Sequence, residues 1–277
     1  MKKLLALSLA LTILLALGAC SKKSESVGII GGADGPTEIV VSDGKDAPAP
    51  TATDKKVLVA ACSADFPPYE YMENGQIVGA EVEILQAIAE KIGFEVKFED
   101  MIFESVIPSI QSGKYDIGMS GLTVTDERKL IVNFTDSYTT SCQAIIVKED
   151  SPITCADDLF NNIGKYKIGV QLATTGDLYA TDDFGAENVE QYDKGPDAVL
   201  ALNTDKIDCV IIDEAVAKAY VAANTGLKTL ETAYVIEDYA LALNKDDTEL
   251  LDQMNAAIQE LMADGTIPGI MDQYITE

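Results

Sequence analysis

Only one of the twenty basic residues in this 277-residue chain is an arginine: Arg128, within Thr123-Val124-Thr125-Asp126-Glu127-Arg128-Lys129. A chain that otherwise uses lysine, yet sets one guanidinium beside the hydroxyls of Ser120, Thr123 and Thr125, holds the parts for two-pronged capture of a carboxylate. The competing reading of Arg128 is a surface ion pair with a neighbouring acid. Asp213 ends the apolar run Cys209-Val210-Ile211-Ile212 and opens a helical pattern at Glu214. It can act as an N-cap worth about 1 kcal/mol, or as the partner of an ammonium group. Thr174-Thr175-Gly176 also opens a helical pattern, and backbone N–H groups at a helix start attract anions. Phe66 and Phe103 fit either a core or the walls of a site; Pro67-Pro68, just after Phe66, argues for a rigid loop. A carboxylate clamp, an ammonium acceptor and aromatic walls together suit a free α-amino acid.

The elements that must position these residues alternate regularly. Residues 57–61 read as a strand, and residues 81–92 place Val82, Leu85, Ile88, Ala89 and Ile92 on one helical face ended by Gly93. A strand at 96–98, a helix at 103–111 and a strand at 116–119 follow. The rhythm resumes with strand 167–170, helices 175–181 and 196–202, strand 208–212 and helix 214–222; an amphipathic helix spans 251–262. This order predicts an α/β fold with parallel or mixed sheets covered by helices. Two stretches echo each other: Lys114-Tyr115-Asp116 and Lys206-Ile207-Asp208 each lead an apolar strand, ending at Met119-Ser120-Gly121 and at Ile212-Asp213-Glu214. The echo is either chance or the mark of two similar lobes offering polar strand ends to one cleft, since ligands in α/β folds gather at the carboxyl ends of strands.

Composition removes several classes of function. With no histidine there is no Ser-His-Asp system, no His-ligated zinc and no imidazole shuttle. A net charge of −26 argues against nucleic acid, which is held by cations. No metal or cofactor is expected. Lys2 and Lys3 precede an apolar run at residues 4–17, too short for a comfortable membrane span and typical of an export signal. Leu17-Gly18-Ala19-Cys20 resembles a bacterial lipobox, which implies cleavage before Cys20 and a lipid on it; the alternative is an ordinary cleavage site. Removing residues 1–20 takes away two lysines and no acid, moving the charge from −26 to −28. Residues 21–55 read as a flexible linker. Within it, residues 28–37 resemble a segment of sodium-pumping decarboxylase membrane subunits, but lack its flanking membrane helices and are read as linker. Cys62, Cys142, Cys155 and Cys209 lie in or beside apolar runs and are expected to be buried free thiols.

In order along the chain, Phe66-Pro67-Pro68-Tyr69-Glu70-Tyr71, Gly79-Ala80-Glu81-Val82-Glu83-Ile84, Phe103 through Ile107-Pro108-Ser109-Ile110, Gly121-Leu122-Thr123-Val124-Thr125-Asp126-Glu127-Arg128, Asn133-Phe134-Thr135-Asp136-Ser137-Tyr138 and Gly169-Val170-Gln171-Leu172-Ala173-Thr174-Thr175 resemble the family 3 solute-binding proteins, receptors of amino-acid ABC importers. The resemblance covers about residues 57–277. It implies a type II periplasmic-binding-protein fold: two mixed-sheet lobes joined by two crossover strands, placed here near 142–147 and 234–239. Lobe 1 would be 56–142 plus 238–277, and lobe 2 146–233. By the same resemblance Arg128 binds the α-carboxylate with Thr123 and the amide and hydroxyl of Thr175. Asp213 takes the α-amino group with the Gly121 carbonyl, and Phe66 and Phe103 flank the side chain. Ala173 stands where the family usually has glycine, which puts the loop in question if it needs a positive φ. Ser63, Asp65, Glu70 and Gln171 lie near the expected pocket and no Lys or Arg does, which favours neutral polar or cationic amino acids over anionic ones. The implied partners are a free amino acid, the importer's permease subunits and, through Cys20, the membrane; a monomer is expected.

Two other classes share such a scaffold. A dehydratase acting on prephenate- or arogenate-like acids would need a general acid, for which Glu70 is the candidate. A ligand-binding sensor module would need a signalling domain, and none is seen in this sequence.

Overall fold

The computed structural model describes residues 56–230 and 234–275; the expected signal, Cys20 and the linker lie outside them. An apolar run opens the fold as β1 (Lys56–Cys62). A three-stranded meander follows: β2 (Asp65–Phe66), β3 (Glu70–Glu73) and β4 (Gln76–Val78). Helix α1 (Ala80–Ile92) starts at Gly79, where a Cβ would sit 2.2 Å from the Tyr69 carbonyl oxygen, and ends at Gly93 with φ 84°. Only glycine tolerates both positions. Next come β5 (Phe94–Asp100), a 3₁₀ turn at Phe103–Ser105, and α2 (Val106–Gln111). The expected helix at 103–111 is divided there because Pro108 has no N–H for the carbonyl of residue 104.

The chain continues through β6 (Ile117–Gly118), α3 (Asp126–Ile131), β7 (Asn133–Phe134) and β8 (Thr139–Lys148). Then come α4 (Ala156–Phe160), β9 (Ile168–Gln171), α5 (Thr175–Phe184), β10 (Val189–Tyr192) and α6 (Gly195–Asn203). Strand β11 (Cys209–Asp213), α7 (Glu214–Ala223), β12 (Leu227–Thr229), β13 (Ile236–Tyr239), β14 (Ala242–Leu243), α8 (Thr248–Ala263) and α9 (Thr266–Tyr274) complete it.

Two large sheets result. The first has the order β5-β1-β6-β14-β7 and the second β10-β9-β11-β8-β12. In each, three strands are parallel (β5-β1-β6 and β10-β9-β11) and the rest antiparallel, so the mixed α/β architecture read from the sequence is present in both. The echo has a structural cause. Asp116 accepts the Val59 N–H at 2.7 Å, and Asp208 accepts the Lys167 N–H at 2.7 Å. Each carboxylate ties the turn before β6 or β11 to its neighbouring strand, and those two strands lead to Ser120-Gly121 and to Asp213.

Strands β8 and β13 run antiparallel between the sheets, pairing Thr139 with Tyr239 through Cys142 with Ile236. The first crossover is therefore shifted from the expected 142–147 to 139–142. Residues 143–148 belong to the second sheet, paired with β11 and β12. Where a strand leaves one sheet for another is set by its pairing partners, which lie far away in sequence. One buried cluster extends through both sheets, from Leu58, Ile84 and Ile117 to Ile146, Val210 and Ile212. The four cysteines among the described residues are free; Cys62 and Cys209 are buried, but Cys142 and Cys155 are partly exposed, a correction for those two.

Candidate functional site

The floor of the cleft between the sheets is made by the inner faces of the two crossover strands. With a two-residue period, β8 presents Gln143 and β13 presents Tyr239 to the cavity, while Ser141 and Glu237 on the same faces bond to Asp213 and Gln143 beside it. The walls come from strand ends and helix starts. Phe66, Phe103, Ser120, Gly121, Thr123 and Arg128 stand on one side and Thr174, Thr175, Ile212 and Asp213 on the other, with Gln143 and Tyr239 between them, around a cavity of about 20 Å³. That is room for about one water, so the two walls nearly meet.

Arg128 sits in α3, whose N-cap Thr125 accepts the Arg128 N–H at 3.1 Å. Its side chain points inward and is 8% exposed, which rules out the surface ion pair. Nη1 donates to the Thr123 carbonyl at 2.9 Å and Nη2 to the Ala173 carbonyl on the opposite wall at 3.1 Å. The guanidinium carbon lies 5.5 Å from the centroid of the Phe103 ring. Burial lowers its pKa, and Glu237 is the leading influence in the other direction; a guanidinium keeps its proton in proteins. Thr123 and Thr175 hydroxyls meet across the cleft at 3.3 Å. Ala173 does adopt φ 65°, the left-handed conformation its glycine-like position demands. It holds that shape because Asp177 accepts its N–H at 2.9 Å.

Asp213 is an N-cap and also more than one. Oδ1 accepts the Val216 N–H at 3.0 Å, while Oδ2 takes hydroxyls from Ser141 and from Tyr239, the latter at 2.8 Å. A carboxylate has about four acceptor sites, which leaves capacity for another donor. Burial pushes its pKa up to about 6, with the Ser141, Val216 and Tyr239 hydrogen bonds pulling the other way. Gly121, at φ 51°, lies under Phe66 and Tyr239, and a Cβ there would come within 2.8 Å of the Phe66 ring. Its N–H is fixed by Glu81 at 2.9 Å.

Seven residues picked from the sequence therefore converge: Arg128, Asp213, Thr123, Gly121, Thr175, Phe66 and Phe103. Ser63 and Gln171 do not line the cavity. Ser63 donates to Asp65 at 2.9 Å and Gln171 to the Asp193 carbonyl at 3.4 Å, both behind the wall. Lys194 does influence Asp65: burial raises that carboxyl's pKa and Lys194 is among the groups lowering it. Glu70 is wholly buried and outside the cavity, its pKa raised well above the usual range by burial and then by Glu81. Gln143, Tyr239, Ser141 and Glu237 were missed. The available signal was the polar residue at every second position of an otherwise apolar strand, as in Ser141-Cys142-Gln143.

The model of the bacterial extracellular solute-binding proteins, family 3, matches residues 58–277. The chain belongs to this family. Among its relatives, the arginine-binding extracellular protein ArtP of Bacillus subtilis is 34% identical over 232 residues, covering 80% of this chain and 87% of ArtP. The solved structure of an ancestral arginine-binding protein bound to glutamine is 36% identical with a TM-score of 0.74, over 80% of this chain and 99% of that one. The arginine-, lysine-, histidine-binding protein ArtJ of Geobacillus stearothermophilus is 32% identical with a TM-score of 0.75, over 80% and 96%. These relatives are binding proteins, and the two-lobed family fold is the one described above.

Proposed function

We propose that this family 3 protein is the extracytoplasmic receptor of an amino-acid ABC importer, closing its lobes on one free amino acid. The observation that carries this reading is the placement of one buried guanidinium and one buried carboxylate, Arg128 and Asp213, on facing sides of a floor made by both crossover strands. Arg128, Thr123 and Thr175 take the α-carboxylate; Asp213 and the Gly121 carbonyl take the α-ammonium; Phe66 and Phe103 flank the side chain. The lobes that close on it are 56–142 with 238–277, and 146–233. With about 20 Å³ enclosed, entry requires the lobes to part, and closure follows binding.

Two buried carboxylates accompany Arg128 around the cleft, Asp213 on its wall and Glu237, which Gln143 ties to it. A zwitterion leaves one negative charge uncompensated, whereas a cationic side chain balances it. Cationic amino acids are thus favoured, with neutral polar ones next. The ligands for which its relatives are named, arginine foremost, agree. The chemistry is binding and not bond breaking, because Glu70, the candidate general acid, has no access to the cavity. A lipid on Cys20 tethers a monomer beside its permease.

The test is calorimetric titration of purified protein, unfolded and refolded to strip bound ligand, against the standard amino acids, cystine and prephenate. A micromolar or tighter response, about −8 kcal/mol, to one or a few amino acids supports the receptor and names its cargo. Silence across the amino acids, or consumption of prephenate, overturns it.

A further inference from the structure

Glu237 is the one acid on the inner face of β13, 4% exposed, two residues before Tyr239. It is held by Gln143 of the other crossover strand, whose Nε2 donates to Glu237 Oε2 at 2.8 Å; the same nitrogen lies 3.5 Å from the Thr175 hydroxyl. The second oxygen of Glu237 is buried with no hydrogen-bond partner. A buried carboxylate with an unpaired oxygen is costly unless a cation stands near. The ion pairs among the described residues all use lysine and lie elsewhere. Arg128 lines the same cavity as Gln143 and Thr175, and Glu237 is the leading charge acting on it.

From this geometry we infer that Glu237 is the resident counter-charge of Arg128, a positioning residue that opposes the ligand's carboxylate and thereby loosens its capture. The inference rests on the reading of Arg128 as the carboxylate clamp. Its logic is electrostatic. Arg128 cannot lose its proton, so the potential where a carboxylate would sit is set by what else is charged nearby in a site of low effective dielectric. A fixed negative group joined through Gln143 to Thr175, another of the proposed carboxylate-binding residues, reduces that potential. An importer's receptor must release its cargo to the permease, and over-tight capture would slow that step.

The test uses two neutral variants, Glu237→Gln and Glu237→Met, with Glu237→Asp as the charge-conserving control. L-arginine and L-glutamine are titrated alongside L-argininamide and L-glutaminamide, which lack the carboxylate. The inference predicts that whichever neutral variant folds binds the acids about tenfold more tightly. The amides should gain less than about twofold, and the Asp variant should stay near wild type. An unchanged or weaker affinity for the acids, or an equal gain for acids and amides, overturns it while leaving the clamp intact. Should wild-type protein bind amide and acid equally well, the clamp reading itself fails, and this inference with it.

Discussion

Lowering the pH should weaken ligand capture through one group, Asp213. Burial raises its pKa from 3.8 to about 6, and an ammonium ligand is accepted only by the ionised carboxylate. The apparent dissociation constant then grows with the protonated fraction, making binding about tenfold weaker at pH 5 than at pH 7.5. A carboxyl of ordinary pKa would change affinity over that span by only about a tenth. Without ligand the sign reverses. A carboxyl whose pKa is raised on folding costs stability above its folded value, here about 3 kcal/mol at neutral pH. That cost fades as the pH falls from about 6 toward 4. Titration calorimetry from pH 5 to 7.5, repeated in two buffers of different ionisation enthalpy, reads both affinity and protons released. Near pH 6 about half a proton should leave on binding, and Asp213→Asn should remove both the proton release and the slope. An affinity that stays flat down to pH 5 would refute the assignment of Asp213 to the ammonium group.

Three other outcomes follow from the geometry. Arg128→Ala should cost a few kcal/mol of amino-acid affinity, since each charge-assisted hydrogen bond contributes about 1.5–3 kcal/mol; titration would show it. Gly121→Ala should lower stability by about 1–3 kcal/mol in denaturant melts, because the new methyl meets Phe66 and Tyr239 on a backbone already at φ 51°. Ala173→Gly should raise stability by up to about 1 kcal/mol, as relief of the left-handed alanine exceeds the entropy that glycine adds to the unfolded chain.

The sequence carried the α/β class through its alternation of apolar strands and amphipathic helices, and its single arginine, Arg128, pointed to one wall of the cavity. Both are local signals. The meander β2–β4 was not read from the sequence, although Asn74-Gly75 between its second and third strands, both at positive φ, is a hairpin signature. Not legible was the crossover boundary at Cys142, because the partners on either side of it, β13 before and β11 after, come from distant parts of the chain. The floor residues Ser141, Gln143, Glu237 and Tyr239 were hidden for the same reason: they act as a site only once two segments some 95 residues apart lie side by side. Ser63 and Gln171 were misplaced because nearness in sequence to Phe66 and Ala173 does not say which side of the wall a side chain takes.

The most direct measurement is a crystal structure of the stripped protein soaked or grown with the amino acid that titration selects. The account predicts the α-carboxylate within hydrogen-bonding distance of Arg128 and Thr175, and the α-ammonium against Asp213 and the Gly121 carbonyl. A ligand bound in the reverse orientation, or held anywhere other than between these two charges, would contradict it.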